Sequence, residues 1–313
     1  MIIQELKPLI DGDFVLLDVP DYDNIGDNLI WEGELAFLKE IPFKKLYETS
    51  YLFFEKRKKL NDVLIIFHGG GNFGDLYKKT HEQRLKIIED NLDKRIIIFP
   101  QTIYYQSENS LISDANILNQ HPDLIFCVRD QVSFDLVQKW FPNVTPKLLP
   151  DMAFCIDPKK LEKASTAKKT LLMKRNDGEL GRIPEIKGEF DTLDWPTFNM
   201  SKKERWNKIR NQRRLDKIAM KFQKLPVLGS FVDSRYGLKS RIGKENYIKI
   251  GTEFFSQYET IYTTRLHGLI LGVLMGKNMK VLDNSYGKLT NFHKEWLHDF
   301  EKVEVIDQST STP

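Results

Sequence analysis

Several short segments place reactive side chains where a strand hands over to a helix. His68-Gly69-Gly70-Gly71-Asn72-Phe73-Gly74-Asp75 directly follows the apolar run Asp62–Phe67. Glycine lets a backbone approach a ligand closely and turn its amides inward as a nest for an anion. His68, Gly69, Gly70, Gly71 and Asn72 are therefore substrate-binding candidates, with a tight strand-to-helix turn as the plain alternative. Lipases build an oxyanion hole from an HGGG sequence, but this chain has no G-x-S-x-G elbow. No GK[ST] follows the glycines, so the segment is not a P-loop either. Ile25-Gly26-Asp27-Asn28 sits at a similar junction earlier in the chain. Gly26 gives a turn there, Asp27 or Asn28 caps the helix, and Gly26 and Asp27 join the binding candidates.

Thr264-Arg265-Leu266-His267-Gly268 lies between a strand and an apolar helix. A helix N-terminus favours anions, and an arginine there grips carboxylate or phosphate with a bidentate fork. His267 adds a group that moves a proton near neutrality. Arg265 and His267 are thus the catalytic candidates. Arg129 follows the strand-like Leu124–Val128, and Arg175 follows Thr170–Lys174. Each alone is compatible with a surface salt bridge. If two sheets face each other, Arg129, Arg175 and Arg265 converge on one cleft suited to a small, multiply charged anion.

Two other patterns are decoys. Asp11-Gly12-Asp13 and Asp21-Tyr22-Asp23 mimic the D-x-D metal motif, yet they bracket the first strand and read as acidic turns. Glu245 and Glu253 share the E-x7-E spacing with Glu32–Glu40 and Glu40–Glu48, so that spacing carries no information.

The elements that must position these residues alternate. Phe14–Val19, Asp62–Phe67, Arg95–Phe99 and Leu124–Val128 read as strands buried on both faces, because each is a short continuous apolar run. Helical stretches lie at Asn28–Lys39, Lys79–Leu92, Ser110–Gln120 and Val132–Trp140. Asp157–Lys169 is polar and lysine-rich, as a connection between domains would be. Beyond it come strands Thr170–Lys174, Thr260–Thr263 and Met279–Leu282, with helices Asn246–Gln257, Leu266–Met275 and Asn291–His298. This is an α/β chain of two Rossmann-like units: residues 1–160 with the glycine-rich loop, and residues 161–313 with a basic insert and the RLHG segment. The insert, 201–224, carries ten basic and two acidic residues with Trp206, Ile209, Ile218 and Phe222 interleaved. It is either a solvated helix or a basic amphipathic contact for an anionic membrane surface.

Composition narrows the classes. Forty-seven basic against 44 acidic residues leave a net charge of +3, too little to point to a nucleic-acid partner. Two cysteines, Cys127 and Cys155, make no disulfide scaffold and no CxxC site. The N-terminus lacks a signal-peptide pattern, and the apolar stretch Leu266–Gly276 is too short to span a bilayer. The expected location is cytoplasmic.

Taken in order, IGDNLI, FHGGGNFGD, FPQTIYY, VRDQVSFD, LLPDMAF, TTRLHGLILGVLMGK and DNSYGKLTNF resemble the polysaccharide pyruvyl transferase family over most of residues 24–292. The resemblance implies a GT-B-like fold, with two Rossmann-like domains facing a central cleft. It also implies transfer of pyruvate from phosphoenolpyruvate to two hydroxyls of a sugar, forming a ketal on a surface or exopolysaccharide precursor. On that basis Arg129 and Arg265 bind the donor, His267 transfers protons, and Lys288 of the last motif joins the binding set. The scheme implies no metal and no cofactor beyond the donor substrate. The acceptor is a glycan, free or lipid-linked, which gives contact of 201–224 with the inner membrane face a purpose. Competing readings are a GT-B glycosyltransferase using a nucleotide sugar, and a non-catalytic polysaccharide assembly protein.

Overall fold

The computed structural model describes residues 1–20, 22–50, 63–161, 169–198 and 244–306. The first sheet is built from β1 (Phe14–Leu17), β2 (Lys45–Thr49), β3 (Leu64–Phe67), β4 (Gly70–Gly74), β5 (Ile96–Tyr104), β6 (Leu124–Val128) and β7 (Thr145–Leu148). Its order is β2-β1-β3-β5-β6-β7, with β4 also paired to β5. The second contains β8 (Lys169–Met173), β9 (Asp191–Leu193), β10 (Tyr258–Thr263), β11 (Asn278–Val281) and β12 (Val303–Val305), in the order β12-β11-β10-β8-β9. All pairings are parallel. The helices are α1 (Ile2–Leu6), α2 (Ile25–Leu38), α3 (Lys78–Glu89), α4 (Glu108–Leu118), α5 (Gln131–Trp140), α6 (Lys244–Ser256), α7 (Leu266–Leu274) and α8 (Lys288–Trp296). The chain is a mixed α/β protein with parallel sheets.

The central strands alternate side chains between two covered faces. Val15, Leu17, Ile65 and Phe67 pack with Leu85, Leu111 and Val137 of α3, α4 and α5. Phe14, Leu16, Leu64 and Ile66 pack with Leu6 of α1 and with Ile30, Trp31 and Phe37 of α2. The other side of α2 serves the second sheet, where Ile25 and Leu29 share a core with Leu171, Trp195, Phe255 and Leu269. Burying each such aliphatic side chain contributes about 1.5–3 kcal/mol, so α2 couples the two sheets.

Strands β2, β7, β9 and β12, which carry no apolar run in the sequence, end the two strand orders. An edge strand faces solvent along one side and does not need the continuous hydrophobic pattern of a central one.

Two other expectations are corrected. The glycine segment is not a loop: residues 70–74 form β4 and pair with the second half of β5. Strand β5 accordingly runs on to Tyr104, past the expected end at Phe99, and shifts register between Ile98 and Gln101. Pro100, which has no N–H for a ladder, sits at that irregularity. Helix α2 is capped by Asn24, not by Asp27 or Asn28. The Asn24 side chain accepts from the Gly26 amide at 3.0 Å, and its Nδ2 donates to Asp27 at 2.7 Å. The basic stretch 201–224 lies outside the described residues, as does most of the expected connection.

Candidate active site

Open parallel sheets bind ligands beyond the carboxyl ends of their strands, where successive connections leave in opposite directions. In the first sheet that point lies between β1 and β3, whose ends carry Asp18 and His68. In the second it lies between β8 and β10, followed by Arg175 and Arg265.

Arg129, just past β6, is fully buried and anchored from several sides. Its Nε donates to Thr102 Oγ1 at 3.0 Å, and its Nη1 donates to the Asp151 carboxylate and lies 3.3 Å from His267 Nε2. Its carbonyl accepts from Trp296 Nε1 at 2.9 Å. The remaining nitrogen, Nη2, has no hydrogen-bond partner among the described residues. Lys288, the first residue of α8, brings a second cation to the same spot. A Cβ built on Gly71 would overlap Lys288 Nζ and stand 2.9 Å from Arg129 Nη2. The missing side chain at Gly71 is thus the space into which both cations point.

Burial lowers the Lys288 ammonium to about 8, against the pull of Glu179 and with help from Arg129 and Arg175. Its ion pair with Glu179 is long, at 3.8 Å. A nearly buried cation so weakly paired favours an incoming anion.

His267 sits in the first turn of α7, 3.4 Å from Asp151. Burial lowers its pKa, and Arg129 adds to this against the Asp151 carboxylate. The lowered pKa favours the neutral ring, which can take a proton. Asp151 stays ionised: burial raises its pKa, but Arg129 and His267 outweigh burial and hold it well below the usual carboxylate range. Gly26 is what admits the imidazole, since a Cβ there would stand 2.7 Å from His267 Nδ1. Asp27 lies within electrostatic reach of His267, Lys288 and His68.

The three arginines do not converge as bare cations. Arg175 gives Nε and Nη2 to Asp177 and Nη1 to Glu179 at 2.9 Å. Arg265 grips Asp194 through Nε and Nη2, reaches Asp177 at 3.4 Å and stacks over Phe198. Arg175 and Arg265 therefore share Asp177, and Glu179 links Arg175 to Lys288. Burying several like charges requires counter-ions, and Asp177, Glu179 and Asp194 supply them. Tyr286 donates to Glu179 at 2.8 Å and stacks on Tyr104 of the first sheet, with ring centroids 4.5 Å apart.

The glycine segment is held from behind. Glu34, fully buried on α2, accepts from the Gly69 amide and from His68 Nδ1, both at 2.8 Å. Asn72 accepts from Arg84 at 3.0 Å, and Arg84 also pairs with Asp18. Gly70 adopts φ 132°, a conformation that favours glycine, while its absent side chain would meet only Ile30 at 3.5 Å. Close approach belongs to Gly71, and backbone freedom to Gly70.

Sequence reasoning missed Asp151, Glu34, Glu179 and Asp194. Asp151 follows an edge strand with no apolar signature. Glu34 could have been noticed as an acid among Ile30, Trp31, Phe37 and Leu38 on a buried helix.

Fold and site together define an α/β protein with two closely placed, nearly buried cations beside a carboxylate-backed histidine. The sequence pattern of the family described as polysaccharide pyruvyl transferase matches residues 24–286, and the chain belongs to that family of enzymes. It is 30% identical to EpsO of Bacillus subtilis (strain 168), a protein provisionally named a pyruvyl transferase, over 98% of this chain and 94% of that one. It is 29% identical to pyruvyl transferase 1 of Schizosaccharomyces pombe, over 94% of this chain and 72% of the relative. A solved structure of a functionally uncharacterised protein from Klebsiella pneumoniae shares the fold, with a TM-score of 0.63 at 19% identity, over 97% of this chain and 96% of that one. No helix among the described residues is long and apolar enough to cross a membrane.

Proposed function

We propose that this enzyme transfers pyruvate from phosphoenolpyruvate to two hydroxyls of a sugar in a polysaccharide precursor, as a ketal. The observation that carries this reading is the pair Arg129 Nη2 and Lys288 Nζ, both aimed at the space above Gly71 and neither matched by a close carboxylate there among the described residues. A small donor with a carboxylate and a phosphate meets that pair with one group. Its other group reaches toward Arg265, whose Nη1 makes no hydrogen bond among the described residues. The two sheets act as Rossmann-like domains on either side of a GT-B-like cleft, in the cytoplasm where the donor is made. Protonation of the donor's methylene makes C2 electrophilic, and a sugar hydroxyl adds. Phosphate leaves with its charge neutralised by the cations, and the second hydroxyl closes the ring. His267 is placed to take a hydroxyl proton.

The test is which donor is consumed. With a panel of p-nitrophenyl hexosides, the enzyme should release inorganic phosphate from phosphoenolpyruvate and no nucleotide from nucleotide sugars. Nucleotide release without phosphate release would replace this reading by glycosyl transfer.

A further inference from the structure

Ketal formation needs two kinds of proton transfer: one proton delivered to carbon, and protons removed from two hydroxyls. One neutral imidazole beside an arginine serves the second kind and is poorly placed for the first. A second histidine, His68, follows β3 of the first sheet, and Asp27 lies within electrostatic reach of both it and His267. His68 is 1% exposed, and its Nδ1 is fixed at 2.8 Å by Glu34 Oε2. Its amide donates to Leu17 O, and its carbonyl accepts from Gln101 Nε2 at 2.8 Å. Nε2 is buried and has no hydrogen-bond partner among the described residues. An orphaned buried imidazole nitrogen is unfavourable unless a ligand meets it. Three residues along the chain, Gly71 underlies the two cations.

Taking the donor reading above as given, we propose that His68, held by Glu34, is the catalytic acid that delivers the proton to the donor's methylene carbon. His68 and His267 are each backed by a carboxylate, but their further neighbours are opposite in sign. His267 lies against Arg129. His68 faces Glu34 and Asp27 from α2 and Asp18 from the end of β1, and Asp151 in turn bears on Glu34. Burial alone would lower His68, but Glu34 together with Asp27 and Asp18 raises it, while burial also raises the Glu34 carboxyl; His267 is lowered. Two titratable groups pushed apart in this way divide into an acid and a base.

The protons then balance. His68 Nε2–H protonates C3, and the first hydroxyl oxygen bonds to C2 while its proton passes to His267. His267 gives that proton to the departing phosphate as the C2–O bond to phosphate breaks. The second hydroxyl oxygen bonds to C2, and its proton restores His68. Two hydroxyl protons are lost, one ending on the methyl group and one on phosphate.

The experiment uses phosphoenolpyruvate, the p-nitrophenyl hexoside panel and three measurements on the intact chain. Calorimetry should give His68→Gln a donor Kd within about threefold of the parent, while kcat falls by about 10²–10⁴-fold. Glu34→Gln keeps an oxygen for the Gly69 amide but removes the anion behind His68. The alkaline limb of its kcat profile should move to lower pH, a shift that a merely structural Glu34 would not produce. In the parent, ¹⁵N-histidine spectra at pH 7 with the donor bound should show His68 as imidazolium and His267 as neutral; this needs no variant. A neutral His68 there, an unmoved limb in Glu34→Gln, or a kcat within threefold in His68→Gln would overturn the inference and leave the donor reading standing. A parent that neither binds phosphoenolpyruvate nor releases phosphate from it would remove the donor reading and this inference with it.

Discussion

Replacing Gly71 with alanine isolates the cation pair from the rest of the molecule. Gly71 lies outside the left-handed region, so alanine adds no backbone strain, and the loss of chain freedom in the unfolded state contributes about 0.4–1 kcal/mol in its favour. The added Cβ would overlap Lys288 Nζ and stand 2.9 Å from Arg129 Nη2. Lysine yields easily, because Nζ is the far end of a flexible chain. Arg129 does not, since Thr102, Asp151 and complete burial hold it. The methyl group therefore takes the place where a donor oxygen would meet both cations. Losing one hydrogen bond to a charged group costs about 1.5–3 kcal/mol, which is about ten- to hundredfold in Kd. Calorimetric titration with phosphoenolpyruvate, beside urea unfolding of both proteins, reads the two effects separately. Gly70→Ala is the control: its cost falls on the backbone at φ 132° and leaves the cations open. A Gly71→Ala protein that is folded and binds the donor within twofold of the parent would refute this account of the segment.

Lys288 makes donor binding depend on pH. Its amine, held to about 8, is neutral above that value in the free enzyme, and an anion against Nζ favours the charged form. Phosphate's second pKa is about 6, so the donor's own charge is constant in this range. Affinity should be highest below pH 8 and fall above it, with proton uptake on binding; Lys288→Met should abolish both, as titrations in buffers of different ionisation enthalpy would show. Asp151→Asn leaves the buried Arg129 charge without its counter-ion, and removing one partner of such a pair costs about 3–5 kcal/mol, measurable by urea unfolding. Arg265→Lys keeps a charge but loses the two-toothed grip on Asp194. It should weaken donor binding and slow phosphate departure together, whereas a role confined to the Asp194 pair would lower stability and leave both unchanged.

The sequence made the centre of each sheet legible and left the margins dark. Runs such as LIIF and LIFCV announce strands covered on both faces, and the arginines and the histidine at their ends were visible for the same reason. Edge strands such as Thr145–Leu148 lack that pattern, which hid the position of Asp151 and so the partner that orients Arg129 and His267. The carboxylates around Arg175 and Arg265 come from the 177–194 segment, whose approach is set by tertiary packing and not by local propensity. Glycine spacing pointed to a close approach in HGGGN, but only the pairing of β4 with β5 decides that Gly71 faces the cations while Gly70 takes up the unusual backbone angle.

The most direct measurement is the split between donor binding and turnover in His267→Ala. Arg129, Lys288 and the strand carrying Gly71 remain in that variant, so the Kd for phosphoenolpyruvate should stay within about threefold of the parent. Single-turnover phosphate release, with a p-nitrophenyl hexoside accepted by the parent, should fall by about 10²–10⁴-fold, the usual contribution of a proton-transfer residue. Release at close to the parental rate from the folded variant would contradict the assignment of this site as the place where the transfer occurs.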